Sequence, residues 1–423
     1  MKSVLIVFPT PWDKKQLDAC SAAWSGRYQV RFSQPTDEDR PWDFDGLAFI
    51  DRTVESCRGA IDGVLSASDY PGAAVAAAIA AQLGLPGPAP QTVLRCSHKY
   101  YSRLAQRAAV PEATPDFSLV DPRDLGAGAP AIGFPCFIKP VKGAFSILSR
   151  RLESAAQLAA FLSRPAVRDF AEHSVHLFNQ LVRRFTDFEI DGGYFIAEEL
   201  LQGQQVTVEG YSVASEVVIF GIVDSILHPE HGSFVRFDYP SRVAAEVQER
   251  MAVIARRAVR HLGLSNSLFN IEMIYHPPTD RIHIIEINPR ISGQFGDLYQ
   301  KVDGTNSYEI ALALACGEPP ALQRRVGSCR AAASLPLRIF EPMRVVRAPD
   351  PSDLAAAEAM FPGTLIWNEC RAGLELTDFE RIEDGHSVRY GIINAGAPTP
   401  ESLLARLEQV RARLGFELQK ISV

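Results

Sequence analysis

Apolar runs broken by turn residues set the plan of the first part of the chain. Val4–Phe8 is continuous apolar sequence closed by Pro9-Thr10-Pro11, and Leu47–Ile50 and Val64–Leu65 repeat the same run-then-turn pattern. Runs of that kind, alternating with helical stretches, predict parallel strands covered on both faces. Asp69-Tyr70-Pro71-Gly72 leads into a helix over Ala73–Leu83, which Gly84-Leu85-Pro86-Gly87-Pro88 stops. These elements predict an α/β domain over residues 1–93. Its first strand-to-helix turn has no glycine-rich fingerprint, which argues against dinucleotide binding there.

Further along, Ser97–Ala105 begins a helix that runs to Val110-Pro111, with Lys99 in its first turn, inside a linking helical segment at 94–130. A cation at a helix N-terminus gains nothing from the dipole, so Lys99 is either an ordinary exposed lysine or a partner for an external anion. Phe134–Pro140 is a short strand carrying Lys139, followed by a small-residue loop, Val141–Ser146, that suits phosphate approach but is no P-loop. A helix is expected near Ser154–Leu162. Tyr194–Gly210 reads strand, polar link, strand; the link either offers backbone groups to a planar ligand edge or is a plain turn with solvated Glu. Val217–Ile222 and Ser233–Tyr239 are further strands. A long helix follows Pro240-Ser241-Arg242 and ends at Gly263, with Val247, Met251, Ile254, Ala258 and Leu262 as its core stripe. Asn306–Cys316 is another helix, and from about 321 short strands and turns give way to a final helix over Pro400–Leu414. Gly126–Pro130 reads as an exposed loop.

The chemistry concentrates between Phe269 and Arg290, FNIEMIYHPPTDRIHIIEINPR. Two apolar runs, Ile271–Tyr275 and Ile282–Ile287, flank a Pro-Pro-Thr-Asp turn and predict a β-hairpin. A loop centred near Thr279 sets Glu272 opposite Glu286, with Asn288 on the same face as Glu286. Facing carboxylates repel and resist desolvation unless a cation lies between them. Two carboxylates and an amide, without Cys or a clear His ligand, favour Mg²⁺, or Mn²⁺, over Zn²⁺. Arg290 adds a fixed positive charge beyond them.

Composition narrows the class. At 423 residues the chain exceeds one hydrophobic core, and 47% hydrophobic with 22% charged residues is globular rather than disordered. A net charge of −7 with no basic run excludes a general nucleic-acid surface. The start MKSVLIVFPT lacks the long apolar core of a signal peptide, and no stretch is long enough to span a bilayer, so no membrane partner and a cytoplasmic location are expected. Seven scattered cysteines without a CxxC pair are expected to be reduced.

Taken in order, Lys99, Ile138-Lys139-Pro140, Glu198-Glu199-Leu200-Leu201, Glu272 and Glu286-Ile287-Asn288-Pro289-Arg290 resemble the ATP-grasp superfamily over roughly residues 1–320. The final element, a Glu with Asn two and Arg four residues on and an upstream Glu, is the most specific part. The resemblance implies an α/β and α+β multidomain protein: a pre-ATP-grasp α/β domain at 1–93, the linking segment at 94–130, a lid at 131–199, a grasp subdomain at 200–320 and a small α+β tail at 321–423. ATP would lie between lid and grasp subdomain. Lys99 and Lys139 would contact phosphates. Glu198, Glu199, Leu200 and Leu201 would form the adenine hinge. Gln205 falls where relatives often carry a ribose-binding Glu, with Glu209 its rival. Glu272, Glu286 and Asn288 match the Mg²⁺ ligands, and Arg290, with Lys139, matches the catalytic cations that steady the reacting acid and its phosphorylated form.

The implied activity is an ATP-dependent carboxylate-amine ligase acting through an acyl phosphate, similar to L-amino-acid ligases of specialised metabolism, with an amino acid among its small-molecule acid and amine substrates. Two alternatives stand beside it: biotin-carboxylase-like carboxylation, suggested by the tail but lacking that family's Cys-Ser-x-Gln-Arg-Arg stretch, and a regulatory protein that binds ATP without turnover. Phe234, Arg236, Ser292, Gly293 and Gln294 are expected around the acceptor pocket because they flank the metal end. The apolar tail has the size for a homodimer interface.

Overall fold

The computed structural model describes residues 1–33, 44–124, 129–143, 147–377 and 387–421. Most of the Gly126–Pro130 loop and the end of the Val141–Ser146 loop fall outside them.

The first strand forms as expected, at Lys2–Val7, in a parallel three-stranded sheet of order Tyr28–Ser33, Lys2–Val7, Gly63–Leu65. Leu47–Ile50, read as a strand, belongs instead to the helix Gly46–Cys57. Asp45 caps that helix through Ala48 N–H, and Phe49, Ile50, Thr53 and Val54 bury at helical spacing. A short apolar run cannot by itself distinguish the two periods. The second strand, Tyr28–Ser33, was hidden because most of its side chains are exposed or half-exposed. Helices Gly72–Leu83 and Ala245–Leu262 end where glycine predicts, with Gly84 and Gly263 both at φ +69° in the left-handed region.

A four-stranded antiparallel sheet has the order Phe117–Val120, Phe195–Glu198, Cys136–Pro140, Arg150–Leu152. Its first strand lies within 94–130, so that stretch is not helical throughout. An eight-stranded sheet runs Arg281–Asn288, Ser267–His276, Gln204–Val213, Glu216–Leu227, Phe234–Tyr239, Ala331–Ile339, Val388–Ala397, Leu365–Asn368. The last three come from the tail, which therefore continues this sheet and adds a small sheet of its own, Glu375–Leu376, Met343–Arg347, Glu417–Lys420.

Alternation gives the large sheet two distinct faces. Val206, Val208, Ile271, Met273, Ile282, Ile284 and Ile287 pack with Met251, Ala255 and Val259 of the long helix. On the other face Tyr211, Val223, Phe237 and Leu268 pack with Leu298, Tyr299 and the helix Ser307–Ala315, and that same core takes in Val4, Ile6 and Leu17 of the first domain. The N-terminal domain is thus docked directly on the sheet face that carries the acidic residues.

Candidate active site

The hairpin pairs Glu272 with Glu286 and Asn270 with Asn288. The route to that register differs from a simple count. The turn is Pro277–Thr279 plus Asp280 at φ +51°, and the ladder closes His276↔Arg281, Tyr275↔Ile282, Met273↔Ile284. Continued without interruption, this register would put Ile285 opposite Glu272. It would also leave Glu286 on the face of Ile282 and Ile284. The ladder shifts by one residue between Met273 and Glu272, so Ile285 is extra, and Glu286 and Asn288 turn to the face of Glu272. Arg103 donates to the Ile285 carbonyl at 2.7 Å, satisfying the bulge.

Partial burial makes this pair of acids chemically consequential. Desolvation, and then the charge of Glu286, push the Glu272 carboxyl up to about 8. Desolvation acts on Glu286 as well, yet Lys99 and Lys139 hold it below the ordinary carboxylate value. Lys99 lies 3.5 Å from Glu286 and donates to Gly143 O at 2.9 Å. Asn288 donates to Glu286 Oε1 at 3.0 Å, and Gln205 donates to Glu272 Oε2 at 2.9 Å. Gln205 is therefore directed at a carboxylate of the hairpin rather than outward to a ribose. Glu209 is fully buried, accepts from Asn270 at 2.5 Å and is pushed up to about 8, chiefly by desolvation. With no exposed surface it cannot meet a ribose hydroxyl, which corrects its expected role.

Lys139 sits on its strand beside Glu198, Nζ to Oε2 at 2.8 Å, and Glu198 Oε1 accepts from Arg103 Nε at 2.7 Å. All three side chains are buried. Glu198 thus bridges two cations with its side chain, while its backbone pairs with Phe117 and Phe137. Glu199 gives its N–H to Asp116 O at 3.0 Å; Leu200 and Leu201 follow, half-buried, beyond the last ladder pair at Glu198. Gly203, in the polar link, has φ +136°, and a Cβ there would stand 2.1 Å from Tyr275 O. Only glycine lets the link pass this close to the hairpin.

Arg290 projects beside Asp69 of the first domain, Nε to Oδ1 at 3.4 Å, and Asp69 Oδ2 lies 3.5 Å from Lys142 Nζ. Ser292 is buried, and Gly293 O accepts from Trp12 and Gln16 of the N-terminal helix. Gln294 donates to Ser334 at 2.8 Å in the tail. Arg236, expected at the pocket, is not brought to the acids. Its register partner is Ile226, and it makes a two-pronged ion pair with Asp238 at 2.6 and 2.9 Å. Asp238 pairs with Asp224, which pairs with Val206 on the helix-covered face, so alternation puts Arg236 on the side opposite Glu272. Phe234 and Phe237 both reach the acid-bearing face because the ladder shifts between Phe234 and Arg236.

Four residues that sequence reading did not single out for a role complete the site: Asp69, Arg103, Lys142 and Asn270. Arg103 was findable, one helical turn beyond Lys99 on the same helix. Asp69 was not, since it belongs to another domain. Among the described residues, no group of three or more His, Cys, Asp or Glu could hold a metal ion. Glu272, Glu286 and Asn288 instead fit a hard divalent ion that takes its remaining oxygens from phosphate.

Residues 132–297 match the ATP-grasp domain. An uncharacterized protein of Sinorhizobium fredii, y4rH, is 27% identical over 279 residues, covering 65% of this chain and 53% of its own length. The chain therefore spans about half of that relative. Carnosine synthase 1 of Gallus gallus is 36% identical over 87 residues, 20% of this chain and 9% of its own. In structure, the L-amino acid ligase from Bacillus licheniformis superposes with a TM-score of 0.77 at 17% identity, covering 100% of this chain and 99% of that one. Biotin carboxylase from Campylobacter jejuni gives 0.65 at 13% identity, covering 100% and 92%. Among the described residues no helix is long and apolar enough to cross a membrane. Residues 132–297 thus match an ATP-grasp domain, and the chain along its whole length shares the fold of these solved structures.

Proposed function

We propose that this protein is an ATP-dependent ligase that joins a carboxylic acid to an amine through an acyl phosphate, releasing ADP and phosphate. The observation that carries the reading is the half-buried Glu272/Glu286 pair with Asn288, faced by Lys99 and Lys139 and flanked by Arg290. Similarity to an L-amino acid ligase along the whole chain and to a segment of carnosine synthase supports it.

Lys99 and Lys139 would hold the phosphates of ATP, and the backbone at Glu199–Leu201 would border the adenine. Glu272, Glu286 and Asn288 would hold Mg²⁺, which when bound neutralises the phosphate oxygens. Arg290 would orient the acid. A carboxylate oxygen then attacks the γ-phosphorus in line and the bond to ADP breaks. The amine nitrogen next attacks the acyl carbon, and phosphate leaves with the C–O electron pair.

The test is phosphate release and product mass with Mg-ATP and pooled amino acids, with bicarbonate and biotin as a parallel arm. Amine-dependent ADP formation is expected. Turnover only with bicarbonate would replace the reading with carboxylation, and ATP binding without turnover on any pool would replace it with a regulatory role. Glu286→Ala is expected to lower turnover about a hundredfold or more, the scale for losing one preorganised electrostatic group.

A further inference from the structure

Arg290 and Lys142 come from different parts of the chain, yet both make their ion pair with one carboxylate, Asp69, in the turn before the helix Gly72–Leu83. Neither contact is a close one. At 3.4 and 3.5 Å they exceed the usual N–H···O distance of about 2.9 Å, and Arg290 Nε is a buried donor without a hydrogen-bond acceptor. Lys142 is buried, with its ammonium 5.1 Å above the Tyr70 ring and 5.8 Å from that of Phe178. Asp69 thus stands between two cations that are under-satisfied by it, as a smaller anion held at the place of a better-fitting one.

An acid substrate, or the acyl phosphate made from it, brings oxygens that satisfy Arg290 and Lys142 more fully. Once they are taken, Asp69 is a half-buried carboxylate that has lost both of its ion-pair partners and keeps only the more distant charge of Lys99, and such a group gains from a new positive partner. Its place also fits the second substrate. Arg290 would orient the acid, and Asp69 reaches Arg290 from the N-terminal domain, whereas Glu272 and Glu286 lie on the grasp sheet. A nucleophile held at Asp69 thus lies beside the acid it would attack.

We propose, building on the ligase reading above, that Asp69 receives the ammonium group of the amine substrate, and that it is freed to do so when the acid takes its place on Arg290 and Lys142. The amine class is then a primary ammonium, such as the α-ammonium of an amino acid, rather than a neutral nucleophile. Asp69 accepts one proton from the ammonium, and the nitrogen lone pair forms the C–N bond. The C–O bond of the acyl phosphate breaks, and the departing phosphate carries off its electron pair and the second proton.

Hydroxylamine separates the two halves of the reaction, because it is uncharged at neutral pH and traps an acyl phosphate as a hydroxamate without an ammonium anchor. Wild type and Asp69→Asn are compared with Mg-ATP and pooled amino acids, with and without hydroxylamine, reading hydroxamate and amide by mass. The expected result is a hydroxamate-to-amide ratio higher in Asp69→Asn by about tenfold to a hundredfold, the worth of a hydrogen bond to a charged group. Asp69→Glu should restore part of the amide. An unchanged ratio, with both products lost together or both retained, overturns the role of Asp69. Absence of hydroxamate from wild type overturns the ligase reading itself, and the role of Asp69 falls with it.

Discussion

Replacing Glu198 by Gln removes the one negative charge between Arg103 and Lys139 while keeping the shape of the side chain. Burial alone would raise the Glu198 carboxyl; the Arg103 guanidinium and the Lys139 ammonium overcome it and hold the group at about 2, against an ordinary 4.5. At 1.36 kcal/mol per unit, that difference is worth roughly 3 kcal/mol of folding stability. The loss from leaving buried cations unpaired, about 3–5 kcal/mol, is of the same size. Because the folded value is depressed, this stability is fully present above about 4.5 and is lost as pH falls through about 2. Urea unfolding at neutral pH, followed by tryptophan fluorescence, should show Glu198→Gln less stable by about 3 kcal/mol, with the difference closing below pH 4. Adding Arg103→Met should recover part of the loss, since one buried cation then remains instead of two. A loss under about 1 kcal/mol, the value of an exposed pair, would mean that water screens these charges and that the triad does not anchor the strand bearing Lys139.

The remaining predictions concern groups whose surroundings differ from what sequence suggests. Glu209 is raised from 4.5 to about 8, so the folded state binds the extra proton and stability falls as pH rises between those values. Glu209→Gln should therefore be more stable than wild type at pH 8 and lose that advantage toward pH 5; a gap that does not change with pH, measured by thermal melts, would refute it. Arg236→Ala should leave the KM for acid and amine within about threefold while costing about 1 kcal/mol of stability, because its ion pair lies on the far face of the sheet. A large rise in KM for either substrate would return Arg236 to the pocket.

Much of this was legible in the chain. The caps at Ser154, Asn306, Gly84 and Gly263 marked helix ends, and the stripe from Val247 to Leu262 marked a buried face. These are local signals, each decided by neighbours within a turn or two. The opposition of Glu272 and Glu286 was also foreseen, although its cause was not. A count centred on Thr279 gave the right pair only because the bulge at Ile285 offsets a turn that closes one residue earlier.

By itself, then, the sequence determined several helix ends, the hairpin and its acids, and the cations spaced ahead of it, since period and turn chemistry are properties of short stretches. Tertiary structure decided which face each side chain occupies and what meets there. A single extra residue reverses a strand's two faces, and the carbonyl of the extra Ile285 is met by Arg103 from a helix far away in sequence. The same holds for Glu209, sealed behind Asn270, and for Asp69, brought to Arg290 by the docking of one domain on another.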